Sequence, residues 1–418
     1  CFYLSNMTCN AVEPPSVQSN TFDGVAKDNF VLEVPEQAII RYQTEVGWNE
    51  FKRITAHYDF SIGRTRMRAL NAQVKRIYSL RCPSGFNWEV TDKPDWIEVS
   101  PSTGTGRTDV TITISEMPRT DEMFEINTGS FQYPSYKKYK GRKGTVVFGL
   151  SGKNYTCKLD VEQYDYDKAD GGSVTLQNNS AGRGIDIVFI GEGYDAKDIA
   201  DGKFERDCEN GYNYFFAVEP YKTYKEYFNV YSVLSQSDES GIETVNTIIA
   251  NKFMKNGERD VDAALLWAKK ARADIDLTKT VVILLDNCED YYGWTYMYSD
   301  GSAMSVVSIS EEVYPYDFRG QIQHEAGGHA FGKLGDEYIY HNSYIQTCPC
   351  QCCDHPADEQ SGGYGLFKAL DWYKNLSMYS DHNMVPWAHL MFHPKYSDRV
   401  DMYEGAYMHM RGMYRSEI

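Results

Sequence analysis

The stretch Gln323–Tyr338, QHEAGGHAFGKLGDEY, decides how the rest of the chain is read. It holds two histidines, a glutamate beside the first, a run of glycines and an acidic pair. Neutral imidazoles suit zinc, and a catalytic zinc site takes three protein ligands and keeps a fourth position for water. A carboxylate next to the first histidine is placed to accept a proton from that water. The spacing is the unusual feature, because His324 and His329 stand five apart. In a regular α-helix, at about 100° per residue, five steps turn the second side chain roughly 140° from the first. A π-type turn brings the two back together. Gly327 and Gly328 lie where the distortion would fall, and glycine tolerates it best. The spacing therefore predicts a bulged helix between His324 and His329. The plainer alternative is two histidines on a helix surface. Against it, a helix-interior glycine costs roughly 1 kcal/mol relative to alanine, so Gly327, Gly328 and Gly332 are poor choices for mere structure.

The helix is expected to start near Asp317, a natural cap, and to run to about Phe331, where Gly332 lets the chain turn back. That turn delivers Asp336 and Glu337. Asp336 is the first choice for the third metal ligand, Glu337 the second and His341 the third.

Working outward, 418 residues suffice for two or three domains. At 42% hydrophobic and 24% charged the composition is that of a globular protein. A net charge of −17 argues against a nucleic-acid partner, which would call for a basic face. No apolar run is long enough to span a membrane. The chain starts with Cys1, as a bacterial lipoprotein does once its signal is removed, so a secreted or surface-anchored location is expected, and a monomer. Six of the ten cysteines are scattered, and Cys348, Cys350, Cys352 and Cys353 are packed together. That cluster suits either disulfides or a second metal shared with His355.

Residues 1–27 are polar and read as a leader or tether. From 28 to 165 short runs alternate with period two, among them Asn87–Val90, Val110–Ile114 and Thr156–Glu162, the pattern of an all-β sandwich. Residues 166–173 are acidic, end in glycines and read as a linker. From 174 to 418 strands alternate with helices. Gly184–Ile190, Phe228–Leu234 and Thr280–Leu285 are expected as strands, Ala196–Phe216 and Val261–Ala273 as helices. This is a βαβαβ pattern with a partly parallel, mixed sheet. Gly293–Ser299 and Ser302–Ser310 read as a hairpin at the sheet edge, where an extended peptide could add as a strand. Gly191-Glu192-Gly193 has an acid where a phosphate loop would not, so nucleotide binding is not expected.

Two resemblances follow from these residues. The stretch from Trp88 to Glu116, with Trp96, Ile97, Pro101 and Gly104, closing on Val161-Glu162-Gln163, resembles the BACON-type β-sandwich. Such domains are described as carbohydrate- or mucin-binding; a spacer is the equal alternative. The catalytic half resembles the IgA peptidase family of zinc metallopeptidases. The likeness is carried by IDIVFIGEGY (Ile185–Tyr194), FFAVEPY (Phe215–Tyr221), FNVYSV (Phe228–Val233), GHAFGKLGDEY (Gly328–Tyr338), VPW (Val385–Trp387) and YEGAYMHMRGMYR (Tyr403–Arg415). It implies a zincin- or metzincin-like fold and zinc-dependent cleavage of a protein or peptide. His324, His329 and Asp336 would be the ligands and Glu325 the general base. The extra residue between the histidines departs from the shorter form of the motif. A methionine turn beneath the metal is implied too, either past Ile418 or formed by Met408, Met410 or Met413. Tyr407 and Tyr414 are candidates for steadying the oxyanion, with packing against the core as the plainer role. The competing readings are a surface adhesin with an inactive zincin scaffold and a zinc hydrolase acting on a non-peptide bond.

Overall fold

The computed structural model describes residues 5–416, apart from 131, 243–250, 256–257 and 340–362. Cys1, His341, His355 and the Cys348–Cys353 cluster lie outside the described residues. The chain divides into two compact units, Cys1–Tyr166 and Asp167–Ile418. No helix among the described residues is long and apolar enough to cross a membrane. Cys9, Cys82, Cys157, Cys208 and Cys288 are free thiols.

The first unit differs from the expected leader-plus-sandwich in its opening third. Asn6–Thr8, Val31–Pro35 and Arg53–His57 form a parallel three-stranded sheet. A short helix, Ile39–Thr44, packs on it. Leu32, Val34, Tyr42, Trp48 and Phe51 are its core. The stretch expected as a tether is bound to that core by two aromatic donors. The Tyr42 hydroxyl donates to Ala11 O at 2.9 Å, and Trp48 Nε1 donates to Pro15 O at 2.8 Å. A polar composition concealed this, since the ties run through backbone carbonyls rather than apolar side chains.

The sandwich itself begins near Tyr58. Ser61–Ile62, Val74–Arg81, Thr108–Ile114 and Ile97–Ser100 make one sheet. Arg66–Ala69, Thr156–Tyr164, Tyr136–Leu150, Asn87–Asp92 and Thr103–Thr105 make the other, with Met123–Asn127 paired to Tyr136–Leu150 as its sixth strand. Alternation puts Val110, Ile112 and Ile114 inside from the first sheet and Val146, Phe148, Leu159 and Val161 from the second. Trp88 is fully buried between them, its ring 6.1 Å from that of Phe148. Gly104 is required opposite it, because a Cβ there would lie 2.7 Å from the indole.

In the second unit, whose elements are numbered from its own start, the sheet is β1 Ser173–Gln177, β2 Ile185–Glu192, β3 Phe228–Val233, β4 Thr280–Asp286, β5 Gly293–Met297 and β6 Ala303–Ser308. Its order is β1-β3-β2-β4-β6-β5. The pairs β2–β3, β2–β4 and β4–β6 are parallel, and the outer pairs antiparallel, so the sheet is mixed and β5 forms one edge. β3, β4 and β6 are buried throughout, as strands covered on both faces must be. The helix expected over Ala196–Phe216 is broken in two, α1 Ala196–Ala200 and α2 Lys203–Phe215. Gly202 sits between them at φ +69°, a conformation that favours glycine. The second expected helix is α3, Val261–Ala268. Glu192 explains its own presence between two glycines. It is fully buried and accepts from Gly193 N, the Ser237 hydroxyl, Lys252 N and Phe253 N. It thus anchors two loops at the ends of the strands rather than facing a ligand.

Replacing Trp88 by alanine empties the largest fully buried side chain of the sandwich. The expected loss is about 3–5 kcal/mol, read as an earlier urea transition of the first unit by intrinsic fluorescence and circular dichroism.

Candidate metal centre

The segment that carries the histidines starts as an ordinary helix. Asp317 caps it, its Oδ1 accepting from Gly320 N at 2.7 Å, and one α-turn follows over Phe318–Gln321 (α4). From Ile322 to Phe331 the backbone is a π-helix. The expected bulge is present, but it fills ten residues rather than a single turn. A helix that closes i to i+5 stacks residues five apart, so His324 and His329 share a face. The last of these bonds is Gly332 N to Gly327 O at 2.9 Å.

Two neighbours hold this geometry. Tyr221, from the FFAVEPY block, donates its hydroxyl to Gly327 O at 2.6 Å. Burial pushes that phenol up to about 12, so it stays a donor. Its ring lies so close that a Cβ on Gly327 would meet it at 3.1 Å. On the other side, Gln321 clasps the end of β6, its Nε2 donating to Ser308 Oγ at 2.9 Å and its Oε1 accepting from Ser308 N at 3.1 Å. Ile322, Ala326 and Ala330 form the buried stripe of the segment.

The chain then leaves the helix and passes back over it. Asp336 arrives with its Oδ1 3.2 Å from His324 Nε2 and 3.2 Å from His329 Nε2. The two ring nitrogens are 3.1 Å apart. Glu337 does not join them; its Oε1 accepts from Asn375 Nδ2 at 2.8 Å. His329 Nδ1 donates to Leu334 O at 2.7 Å, a bond a carbonyl can only accept, which directs Nε2 toward the centre of the trio. Asp336 Oδ1 is buried, and despite its two near neighbours no donor is aligned on it.

That triangle tests the fit to a metal. Donors at about 2.0–2.1 Å in a tetrahedral array around zinc stand about 3.3 Å from one another. The three separations here are 3.1, 3.2 and 3.2 Å. Among the described residues these three form the only such group of ligand atoms. Their charges agree. Burial alone would raise the Asp336 carboxyl, but the two imidazoles hold it well below the usual carboxylate range. Burial alone would lower His329, but the Asp336 carboxylate outweighs it and holds the ring at about 9. His324, His329 and Asp336 would hold a cation at the centre in place of that proton.

Asp336 sits on irregular chain, and its position is set by other segments. Asn375 pairs with both peptide groups of Gly335, accepting from its N at 2.9 Å and donating to its O at 2.7 Å. The C-terminal hairpin, Tyr403–Ala406 (β7) and His409–Arg415 (β8), supplies a second clamp. Tyr407 N donates to Asp336 O at 3.0 Å and Met408 N to Tyr338 O at 3.1 Å. Both residues of this two-residue turn are left-handed, at φ +49° and +66°. Such turns usually take Asn-Gly, and each larger side chain there costs about 1–2 kcal/mol. Tyr407 packs its ring on Tyr373, and Tyr414 lies against Val385 and Trp387. Of the three candidate methionines, Met408 and Met410 are exposed. Met413 is fully buried with Tyr373 and Leu376, the side chains that a Cβ on Gly335 would strike.

Glu325 is mostly buried beside the trio. Burial moves its carboxyl up, against the pull of the two imidazoles and of Thr295. Thr295 Oγ1 donates to Glu325 Oε2 at 2.8 Å. Tyr221, Asn375 and Thr295 were not singled out from the sequence. Tyr221 lies inside a block quoted for the family likeness, and Thr295 inside the edge hairpin, but nothing in their spacing announces the partner.

A triangle of two imidazoles and a carboxylate with a buried glutamate at its side has the build of a metal-dependent hydrolase site. Residues 174–357 match the family model described as IgA Peptidase M64, so this stretch of the second unit is similar to a peptidase of that family. Residues 86–122 match the BACON model, described as a putative binding domain, N-terminal. No curated protein matches the chain. Among solved structures, a Bacteroides ovatus GH5 xyloglucanase in complex with a XXXG heptasaccharide is 14% identical over 54% of this chain and 45% of its own, with a TM-score of 0.19. The C. elegans MSP family member WR4 is 8% identical over 26% of this chain and 100% of its own, with a TM-score of 0.18. The Vibrio cholerae VesB protease is 10% identical over 26% and 31%, with a TM-score of 0.16. Scores this low carry no argument about fold or activity.

Tyr221→Phe removes the one side-chain donor to the Gly327 carbonyl. A loss of about 1–2 kcal/mol in unfolding free energy is expected for a buried bond of this kind, measured as a shift of the second unit's transition in denaturant.

Proposed function

We propose that the second unit is a zinc-dependent endopeptidase of zincin- or metzincin-like build, acting on an extracellular protein. The observation that carries this reading is the 3.1–3.2 Å triangle of His324 Nε2, His329 Nε2 and Asp336 Oδ1. Those three residues would hold the zinc. When bound, it supplies Lewis acidity, drawing down the pKa of a water and polarising the scissile carbonyl. Glu325 is the general base. With Oε2 engaged by Thr295, its Oε1 is the atom that takes the proton from water and later gives it to the leaving amine. The buried Met413, beneath the segment that bears Asp336, is the residue best placed to serve as the methionine turn.

The sheet edge favours a peptide as substrate. Tyr292 O accepts from Ser308 N, and Tyr298 N donates to Ser302 O, so even-numbered residues of β5 turn their backbone groups toward β6. Backbone groups alternate along an antiparallel strand. Those of Gly293, Thr295 and Met297 therefore point outward, as the addition of an extended peptide requires. For the first unit, the BACON match supports a module that contacts glycan or protein, or a spacer. An adhesin with an inactive peptidase scaffold is the less economical reading, since the triangle and Glu325 are both in working arrangement.

Glu325→Gln is expected to keep about one zinc per chain and to lose about 10²–10⁴ in kcat. Asp336→Ala is expected to lose the zinc as well. Metal content by plasma mass spectrometry and cleavage of fluorescein-labelled casein measure both. A Glu325→Gln protein that cleaves at the wild-type rate would remove Glu325 from the mechanism.

A further inference from the structure

The edge strand β5 does more than border the cleft. Its side chains alternate between faces, so Gly293 and Thr295 share the face toward the π-helix. Glu325 lies against that face. A Cβ on Gly293 would stand 3.0 Å from Gln321 Oε1, 3.1 Å from Glu325 Cγ and 3.3 Å from Glu325 Oε1. Gln321 and Glu325 thus share the space where any other residue would put its side chain. Two residues on, Thr295 Oγ1 lies 2.8 Å from Glu325 Oε2 and 3.1 Å from Glu325 O. It is also 3.0 Å from Ser305 Oγ, its cross-strand neighbour in the register.

A threonine hydroxyl has one proton. The ionised carboxylate at 2.8 Å is the strongest acceptor within reach, so the proton goes to Oε2. The Ser305 hydroxyl, fully buried, then donates to Thr295 Oγ1. The result is a directed chain, Ser305 to Thr295 to Glu325, which pins one carboxylate oxygen and leaves the other to the reaction.

We propose that Thr295 is a positioning residue for the general base, with Gly293 providing the room. Thr295 also turns its own backbone N–H and C=O outward along the edge. One residue therefore fixes Glu325 through its side chain and meets an extended substrate through its main chain, which ties the register of the peptide to the position of the base. This rests on the endopeptidase reading given above.

The test compares wild type with Thr295→Val, Thr295→Ser and Gly293→Ala in the full chain. Zinc content, kcat and KM on fluorescein-labelled casein, and crystal structures are the readouts. Thr295→Val keeps the shape of the side chain and loses its donor. It is expected to hold one zinc and to keep KM within about twofold. Its kcat should fall about 10- to 100-fold, the worth of one bond to a charged group. Its crystal structure should show the Glu325 carboxylate rotated off the strand. Thr295→Ser should restore kcat to within about threefold of wild type, which a purely packing role for the methyl would not allow. Gly293→Ala should displace the same carboxylate and lower kcat with zinc retained. Thr295→Val at full kcat, with Glu325 unmoved, overturns the positioning role while leaving the peptidase reading intact. A wild type that binds no zinc and cleaves nothing sinks the peptidase reading instead. The Thr295→Val structure then still decides whether the hydroxyl holds the carboxylate.

Discussion

Two imidazoles five residues apart can meet one carboxylate oxygen only if the backbone between them closes from i to i+5. Everything around Ile322–Phe331 serves that requirement. A π-helix is rare, since its hydrogen bonds give up packing along the axis. Here the deficit is offset from outside. Tyr221 donates to the Gly327 carbonyl and presses its ring where a larger residue would collide. Gln321 grips β6 just before the distortion begins. Ile322, Ala326 and Ala330 bury the segment along one stripe. A Cβ would meet Tyr221 at 3.1 Å on Gly327 and the Gly328 carbonyl at 2.8 Å on Gly332, so these two poor helix formers are what the neighbours demand, whereas Gly328 has only ordinary contacts.

The third member of the trio is held in the opposite way. His324 and His329 sit on a regular element, whereas Asp336 sits on chain with no repeating structure. Such a segment is a weak support for a ligand that must stay within a few tenths of an ångström. The molecule compensates by crossing it with two other pieces of chain. Asn375 reproduces both hydrogen bonds of a paired strand at Gly335. The hairpin tip does the same at Asp336 and Tyr338, with a Tyr-Met turn in a conformation that glycine would adopt more cheaply. Strain of this kind persists where the surroundings over-determine the backbone. The turn's hydrogen bond to the Asp336 carbonyl connects it with the site.

The features visible in the sequence are the ones with a period or a local chemical meaning. Runs such as FNVYSV and TVVILL could only be buried strands, and the hairpin after them matched the sheet edge. The five-residue histidine spacing demands a distorted helix, although not one ten residues long. What escaped was long-range and carried by single bonds. The parallel sheet of the first 57 residues is tied together by Tyr42 and Trp48 reaching backbone carbonyls about 30 positions away, and no window of sequence contains both ends. Asn375, 40 residues from Gly335, is the same case, and so is Tyr221, 106 residues from Gly327. The choice between Asp336 and Glu337 also depended on such a bond, because Asn375 takes Glu337 away from the trio.

Among the described residues, no strand pairs with the outer edge of β5. An exposed strand edge invites pairing with another chain, and proteins usually blunt one with charge, proline or a cover. Gly293–Met297, a run of glycine, tryptophan, threonine, tyrosine and methionine, carries neither charge nor proline. Its inner face is committed to Glu325 through Gly293 and Thr295, so neither position can take the inward charge that protects other edges. A lysine at 295 would pair with the carboxylate and remove it from reaction. The residues that seat Glu325 therefore also keep charge off this edge. Under the proposed reading, the hazard of an open edge and the ability to receive an extended peptide beside Glu325 are one property of the strand.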